Sequence, residues 1–471
     1  MNALTKLNLS IPLWFLVGIT DVIKSEAFSL PFPGLLSGFA RSLYLEHPGL
    51  KGGVVEYDAQ ASKYVFEEIA YSAQEDHIRL LGDNRYLARL ERTNLDKSQT
   101  PAIDKQGIYL ITGGMGSLGL HAARTLAMLG ASEIILLGRN LPSNEAQTEI
   151  QKIEGLGAKV LFIQCDITKS SDVQKLFDSL KKNHQTVKGV IHAAGIVNKK
   201  LIAELNDEDI HEMMRAKVIG SWNLHEQTKS LPLDFFILYS SVSSLIGSHQ
   251  LAHYCAANGF LDGLASYRHT LNLPALSINW GPWEQGGMVN HISNAKQVAE
   301  SGFSLIHADE GARFIEQAIS YRQNPQIGII KANWDSVKNI YSSRSAQHVF
   351  ERLTSSTETT EEISSPELRI RLEALSAWGR YDYLANYLSE YICNLLQIED
   401  KNSLDHKRGF FDMGMDSLMA VELRSKLEKQ LAYQLAPSTI FDYSSVEKLA
   451  NHIISLIFDT KSNIEPEPGK N

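Results

Sequence analysis

"GIYLITGGMGSLGLHAARTLAMLG", residues Gly107 to Gly130, decides the fold of this 471-residue chain. An apolar run, "GIYLIT", leads directly into a turn carrying Gly113, Gly116 and Gly119. A helical pattern, "LGLHAARTLAMLG", leaves that turn. Glycine is needed where backbone turns tightly and comes close to a phosphate, and the helix that follows points its free N–H groups at an anion. Such a motif alone is weak evidence. Here a second apolar run, "EIILLG", follows the helix, which completes the strand–helix–strand order of a dinucleotide site.

Working outward, apolar runs recur as "KVLFIQCD", "GVIHAA", "DFFILYSS", "ALSINW" and "IGIIKANW", mostly with helical stretches between them. Continuous apolar runs suit strands covered by helices on both sides. The pattern predicts an α/β fold, a Rossmann-like doubly wound parallel sheet, over residues 99–336. Residues 1–98 alternate strand-like and helix-like pieces, with a hairpin expected to turn at Gly82-Asp83-Asn84, but hold no phosphate loop. "IPLWFLVGI" (Ile11 to Ile19) is too short for a membrane helix and reads as a buried strand. Residues 337–380 read as a linker whose polar centre is "TSSTETTEEISSP"; residues 381–458 as a small helical bundle; residues 459–471 as a disordered tail.

A net charge of -9 argues against nucleic acid as a partner. The three cysteines (Cys165, Cys255, Cys393) are too few for a disulfide framework and point to a reducing cytoplasm. The fifteen histidines show no metal-ligand spacing, so no metal is expected. The second strand ends "LLGRN": Arg139 offers a positive charge to a 2'-phosphate, which favours NADP over NAD. Asp166, after the third strand, is placed to accept from an adenine amino group.

"YCAAN" (Tyr254 to Asn258) poses the chemical question. A phenol's ordinary pKa is near ~10, so a tyrosine acting at neutral pH wants a cation beside it. Many tyrosine-dependent dehydrogenases place a lysine four residues later; here that residue is Asn258. Upstream, the helical stretch "MMRAKVIGSWNLHE" carries Lys217, and Ser241 lies at the carboxyl end of "DFFILYSS".

The spacing Lys217, Ser241, Tyr254, Asn258 resembles the ketoreductase domain of modular polyketide synthases, a branch of the short-chain dehydrogenase/reductases. The resemblance implies NADPH-dependent reduction of a ketone. Tyr254 would protonate the developing alkoxide and Ser241 would hydrogen-bond it. Lys217 would lower the tyrosine's pKa, and Asn258 would hold the proton relay. It implies that Thr112, Gly113, Gly114, Gly116, Ser117, Leu118, Gly119, Arg139, Asp166, Ile167, Ala193, Ala194, Gly195 and Pro282 contact the cofactor. A structural role is expected for His192, no catalytic role for His253, and a lid near Met288. Residues 1–98 resemble the family's truncated structural subdomain, and the chain reads as a piece of a longer module or one end of a split one.

Two family markers of product stereochemistry are absent. Val197, Asn198 and Lys199 stand where an acidic pair is common, and Ile246 stands where a tryptophan is common. The missing acidic pair leans toward an L-hydroxy product.

"FFDMGMDSLMAVELRSKLEKQL" carries Ser417 before an amphipathic helix. A serine there suits a helix N-cap. Its surroundings resemble an acyl carrier domain, where the serine bears 4'-phosphopantetheine, with Asp416, Leu418 and Met419 in the surface that partners read. The expected partners are a phosphopantetheinyl transferase, a carrier-bound β-ketoacyl substrate and other synthase domains (ketosynthase, acyltransferase, dehydratase or thioesterase), with no membrane. Two alternatives stay open: a carrier and scaffold with an inactive reductase, and a stand-alone reductase of a diffusible ketone.

Overall fold

The computed structural model describes residues 11–19, 31–71, 75–95, 103–284, 298, 301–342, 348–353, 367–396, 404–415, 417–436 and 439–458. Two compact units emerge: Met1–Trp334 with Ser345–Thr354, and Asp335–Arg344 with Ser355–Asn471.

The first unit holds two main sheets. β1 (Leu13–Gly18), β2 (Lys51–Tyr57) and β3 (His77–Leu81) run parallel, and β4 (Asn84–Leu87) closes an antiparallel hairpin on β3. The hairpin turns where expected, with Gly82 at φ +57°. The larger sheet is entirely parallel. Its strands are β5 (Ile108–Thr112), β6 (Glu133–Gly138), β7 (Lys159–Gln164), β8 (Val187–His192), β9 (Phe235–Ser241), β10 (Leu276–Trp280) and β12 (Gln326–Ile329); a short ladder pairs β11 (Phe303–Ser304) with β13 (Lys331–Ala332). Their order is β12-β10-β9-β8-β5-β6-β7. All seven apolar runs of the sequence are its strands.

Both faces of this sheet are dry. Tyr109, Ile111, Ile134, Leu136 and Ile237 join one core, while Ile108, Leu110, Ile135, Leu137 and Leu238 join the other. Neighbouring residues of one strand thus serve opposite cores, which is why the runs are continuously apolar. The strand order reverses beside β5, between β6 and β8, and that switch point opens the ligand crevice at the carboxyl ends.

The smaller sheet is tied to the larger by one helix pair. Helix Phe32–Glu46 lies against helix Ala252–Thr270, which carries Tyr254. A Cβ on Gly34 would come 2.1 Å from Gly259 O, and one on Gly259 the same distance from Gly34 O. Glycine at both positions is what lets the backbones touch. Polar side chains of the first helix then hold loops around the tyrosine. Arg41 Nη1 donates to Ser244 O (2.8 Å), Ser42 Oγ accepts from Ser248 N (3.0 Å), and Glu46 accepts from Ile202 N (2.8 Å) and Gln250 N (2.9 Å).

The stretch 337–380 is more structured than a linker reading suggests. Helices Trp334–Ser342 and Glu367–Ala374 lie within or across it, and residues 345–354 return to the first unit. There Leu90 N donates to Val349 O (2.9 Å), and Phe350 is fully buried. The polar centre of that stretch and the tail 459–471 lie outside the described residues.

The second unit is helical, with Ala377–Leu396, Ser417–Leu431, Thr439–Asp442 and Val446–Phe458 around Leu388, Ile392, Leu423, Leu427, Leu449 and Ile453. Among the described residues no helix is long and apolar enough to cross a membrane.

Candidate active site and carrier serine

The glycine turn builds the floor of a cavity of about 310 Å³. Gly113 takes φ +64°, and a Cβ there would lie 2.8 Å from Ala194 Cα, so only glycine lets the ends of β5 and β8 approach. Gly116 caps helix Ser117–Met128, whose amino end faces the turn. A Cβ on Gly119 would lie 2.4 Å from Gly113 O, so that glycine sets how tightly the helix follows the turn.

The cavity is lined by Thr112, Gly113, Gly116, Arg139, Asp166, Ile167, Ala193, Ala194 and Gly195 from the expected set. Gly114, Ser117, Leu118, Gly119 and Pro282 do not line it. Gly114 packs against Leu136, and Pro282 O accepts from Ile306 N at 2.8 Å. Met288 lies outside the described residues. Sequence reasoning missed Thr168 and Arg215, which also line the cavity. Asp166 Oδ1 accepts from Thr168 Oγ1 (2.7 Å) and N (3.1 Å), and Oδ2 lies 3.7 Å from Arg215 Nη2. Burial raises this carboxyl, but the Thr168 bonds and Arg215 outweigh it, and Asp166 stays below its ordinary range. A turn open to backbone approach, a helix N-terminus beside it and two arginines on one cavity fit a phosphorylated dinucleotide.

The four catalytic candidates come from three elements. Lys217 lies on a π-helical turn, Arg215–Gly220, between helices Asp207–Met214 and Ser221–Thr228. Such a turn inserts an extra residue and re-aims the side chains on it. Lys217 is buried, and its Nζ donates to Tyr239 O at 2.8 Å, lying 5.9 Å from the centre of the Tyr254 ring. So the lysine of the earlier helix does reach the tyrosine. Gly195 makes the passage: a Cβ there would lie 2.7 Å from Lys217 Cε. Burial pulls the ammonium down to about 8, while the charge of Asp262 pushes it up.

Tyr254 is 7% exposed. Burial pushes its phenol up to about 12, against the pull of Ser241 and Asn258. Taking the phenolate out of water costs more than these neighbours return, so the net shift is upward. A phenol protonated at neutral pH is the form a proton donor needs.

Ser241 caps the short helix Val242–Ile246. Its Oγ accepts from Ser243 N (3.2 Å) and Ser243 Oγ (2.9 Å), which leaves its own proton to donate. Asn258 is fully buried; its Nδ2 donates back to Tyr254 O (2.8 Å), and its Oδ1 has no hydrogen-bond partner among the described residues. His192, also fully buried, pairs through Nδ1 with Thr112 Oγ1 at 2.6 Å. Burial and then the Lys217 charge push it down to about 3, so it is a neutral structural imidazole. His253, also buried, is lowered by burial too.

Ser417 is the first residue of helix Ser417–Leu431. Its side chain, that of Leu418, and all of Asp416 lie outside the described residues. Met419 packs partly against the bundle core, Glu422 is exposed, and Arg424 and Lys426 are half-buried.

Comparison with known proteins agrees with this arrangement. Residues 107–285 match the KR domain model, and residues 386–453 match the phosphopantetheine attachment site model. The chain is 30% identical over 437 residues to a phenolphthiocerol/phthiocerol polyketide synthase of Mycobacterium tuberculosis, covering 91% of this chain and 28% of that protein. It is 28% identical to polyketide synthase GfsB of Streptomyces halstedii, covering 98% of this chain and 9% of that protein. This chain thus spans under a third of these relatives. Among solved structures it resembles an A1-type ketoreductase (TM-score 0.68, 26% identity, 75% of this chain and 77% of that one). It also resembles a ketoreductase from the first module of phoslactomycin biosynthesis in Streptomyces sp. HK803 (TM-score 0.67, 27% identity, 74% and 81%). A KR domain implies NADPH, and an attachment-site domain implies covalent phosphopantetheine. The chain joins a ketoreductase (KR) domain to a carrier domain of the phosphopantetheine attachment type, and its relatives are polyketide synthases.

Proposed function

We propose that this chain reduces a β-ketoacyl thioester, tethered through phosphopantetheine on Ser417, to the β-hydroxyacyl thioester. NADPH supplies the hydride to the ketone carbon. Tyr254 gives its phenolic proton to the ketone oxygen, and Ser241 donates a hydrogen bond to that oxygen as charge develops. Lys217 places an ammonium beside the phenol as its proton leaves, which lowers the cost of the phenolate. Asn258, whose Oδ1 is buried with no hydrogen-bond partner among the described residues, is placed to hold a proton-relay water. Thr112, Gly113, Gly114, Gly116, Ser117, Leu118, Gly119, Ile167, Ala193, Ala194, Gly195 and Pro282 would hold the dinucleotide, with Arg139 on its 2'-phosphate and Asp166 on its adenine.

The observation that carries this reading is the buried Lys217 ammonium beside the Tyr254 ring, next to a cavity suited to the cofactor. Residues 1–98 would serve as the structural subdomain, 99–336 as the catalytic one, 337–380 as a partly helical connector and 381–458 as the carrier. A tethered substrate reaches the site at high effective concentration. Neighbouring synthase domains (ketosynthase, acyltransferase, dehydratase or thioesterase) and a phosphopantetheinyl transferase are the partners, in a reducing cytoplasm that suits the three buried free cysteines. The missing acidic pair at Val197–Lys199 favours an L-hydroxy product, which chiral analysis of the product tests.

Incubation with NADPH and a short β-ketoacyl thioester of a pantetheine mimic tests the reaction. NADPH consumption that stops in Tyr254→Phe is expected; no consumption by the native chain points to a carrier with an inactive reductase. A mass increase on treatment with a phosphopantetheinyl transferase, lost in Ser417→Ala, tests the tether. If the variant still gains that mass, the attachment site is elsewhere.

A further inference from the structure

The tyrosine helix buries a carboxylate that the reaction above does not use. Asp262 follows Asn258 by four residues and Tyr254 by eight, so the three share one helix face. It is 7% exposed, and the protein groups that meet it are donors. Ser277 Oγ reaches Oδ1 at 2.6 Å and Ser244 Oγ reaches Oδ2 at 2.7 Å; Asn279 Nδ2 lies 3.1 Å and 3.0 Å from the two oxygens. A buried carboxylate persists as an anion only where donors or positive charge meet it. Burial raises this carboxyl above its ordinary range, and these donors offset part of that rise.

The same donors hold the end of the catalytic strand. Asn279 Nδ2 is 3.2 Å from Ser241 O, and Ser244 Oγ is 2.9 Å from it. Gln326 Nε2 donates to Asn279 Oδ1 (3.0 Å), which fixes which way that amide faces. Asn279 has two N–H bonds to give and Ser244 one O–H. With Asp262 ionised, Ser244 gives its proton to the carboxylate. Asn279 then gives one N–H to the carboxylate and the other to the Ser241 carbonyl. A neutral Asp262 would have to donate instead, and the whole set would rearrange beneath Ser241.

Lys217 needs the same charge. Among the described residues no carboxylate oxygen lies within 4.0 Å of its ammonium, which rests on a neutral carbonyl. The groups around it are His192 from β8, held neutral, and Tyr254 from the tyrosine helix, held protonated by burial. On its own turn Arg215 pairs with Asp166, and on the far side of Ser244 stands Arg41, bonded to Ser244 O. Asp262 is the anion whose charge raises the Lys217 ammonium back toward its ordinary range.

We propose that Asp262 is a positioning residue for the reduction: it takes the Ser244 proton and one Asn279 N–H, which leaves the other Asn279 N–H to clamp the Ser241 end of β9. The inference rests on the ketoreductase reading, and its test separates the two.

The test compares Asp262→Asn with the unaltered full chain, using NADPH and the short thioester. The expected result is a fall in kcat of about tenfold or more, with KM and NADPH affinity within about twofold. The alkaline limb of the kcat profile should also move to lower pH, because Lys217 loses its proton sooner. If the unaltered chain turns over and a folded Asp262→Asn keeps its kcat and its alkaline limb, the positioning role is wrong and the ketoreductase reading survives. No turnover by the unaltered chain overturns that reading instead. A thermal-melting cycle decides the charge coupling without turnover. Asp262→Asn combined with Lys217→Met should melt higher than Asp262→Asn alone, since the unbalanced buried cation is gone. A double variant that melts no higher than the single one, or fails to fold, overturns the coupling.

Discussion

Replacing Gly195 by alanine puts a methyl group where Lys217 now passes. The new Cβ would lie 2.7 Å from Lys217 Cε and 3.3 Å from Nζ, whereas ordinary contact begins at 3.4 Å. The end of the lysine must therefore give by about 0.7 Å, which follows from those two distances. Its way out is limited, because the side chain is buried and Nζ already sits at 2.8 Å from Tyr239 O. A shift of that size stretches the bond to the edge of hydrogen-bonding range. Losing a hydrogen bond from a charged donor costs about 1.5–3 kcal/mol, which at ~1.4 kcal/mol per factor of ten is roughly 10- to 100-fold. Stopped-flow or steady-state NADPH oxidation with a short β-ketoacyl thioester reads kcat, and fluorescence titration reads NADPH affinity. We expect kcat to fall by roughly 10- to 100-fold and affinity by no more than about threefold. A folded Gly195→Ala chain with kcat within about threefold of the native value refutes the argument that this clearance places the ammonium.

Three further outcomes follow from the same geometry. Tyr254→Phe keeps the ring packing but removes the proton donor, so kcat should drop by about 10²- to 10⁴-fold with NADPH still bound, as equilibrium titration reports. Arg139→Ala should raise KM for NADPH by about tenfold and leave KM for NADH nearly unchanged, which steady-state kinetics with both cofactors measures. Glu56 is buried, and despite burial its bonds to His77 (2.6 Å) and Arg79 (2.8 Å) lower its carboxyl to about 2. A lowered carboxyl contributes stability that is present above its unfolded pKa and is lost as pH falls through the folded value. Melting temperature should thus fall between about pH 4.5 and 2, with about 3 kcal/mol at stake, and Glu56→Gln should flatten that slope in a pH series of melting scans.

Much of the site was legible in one dimension. The glycine turn after β5 announced a phosphate cradle because backbone conformation and close approach are written as glycine. The pair Lys217 and Asn258 announced a cation arriving from another helix because a phenol without one is poor at proton transfer. Missed features were those that leave no periodic trace. Thr168 reaches the cavity from the loop after β7, and Arg215 from the π-helical turn between two helices. The π-helical turn under Lys217 has a composition like any helix, and Asp262 reads as one more polar residue on a long helix. Residues 348–353 read as part of a linker, since the bond from Leu90 N to Val349 O joins positions more than two hundred residues apart in the chain.

By itself the sequence determined the alternation of strand and helix, the glycine turn, the chemical types at the four candidate catalytic positions and the serine at the head of the carrier helix. These are local or compositional facts, written in periodicity and in the side chains themselves. Tertiary structure alone decided where the sheet reverses and opens a crevice, how Gly195 lets Lys217 through, and how Asp262, Ser244 and Asn279 meet beneath Ser241. It also decided the direction of each shifted proton affinity, because desolvation and charge act through space among residues the chain itself holds far apart.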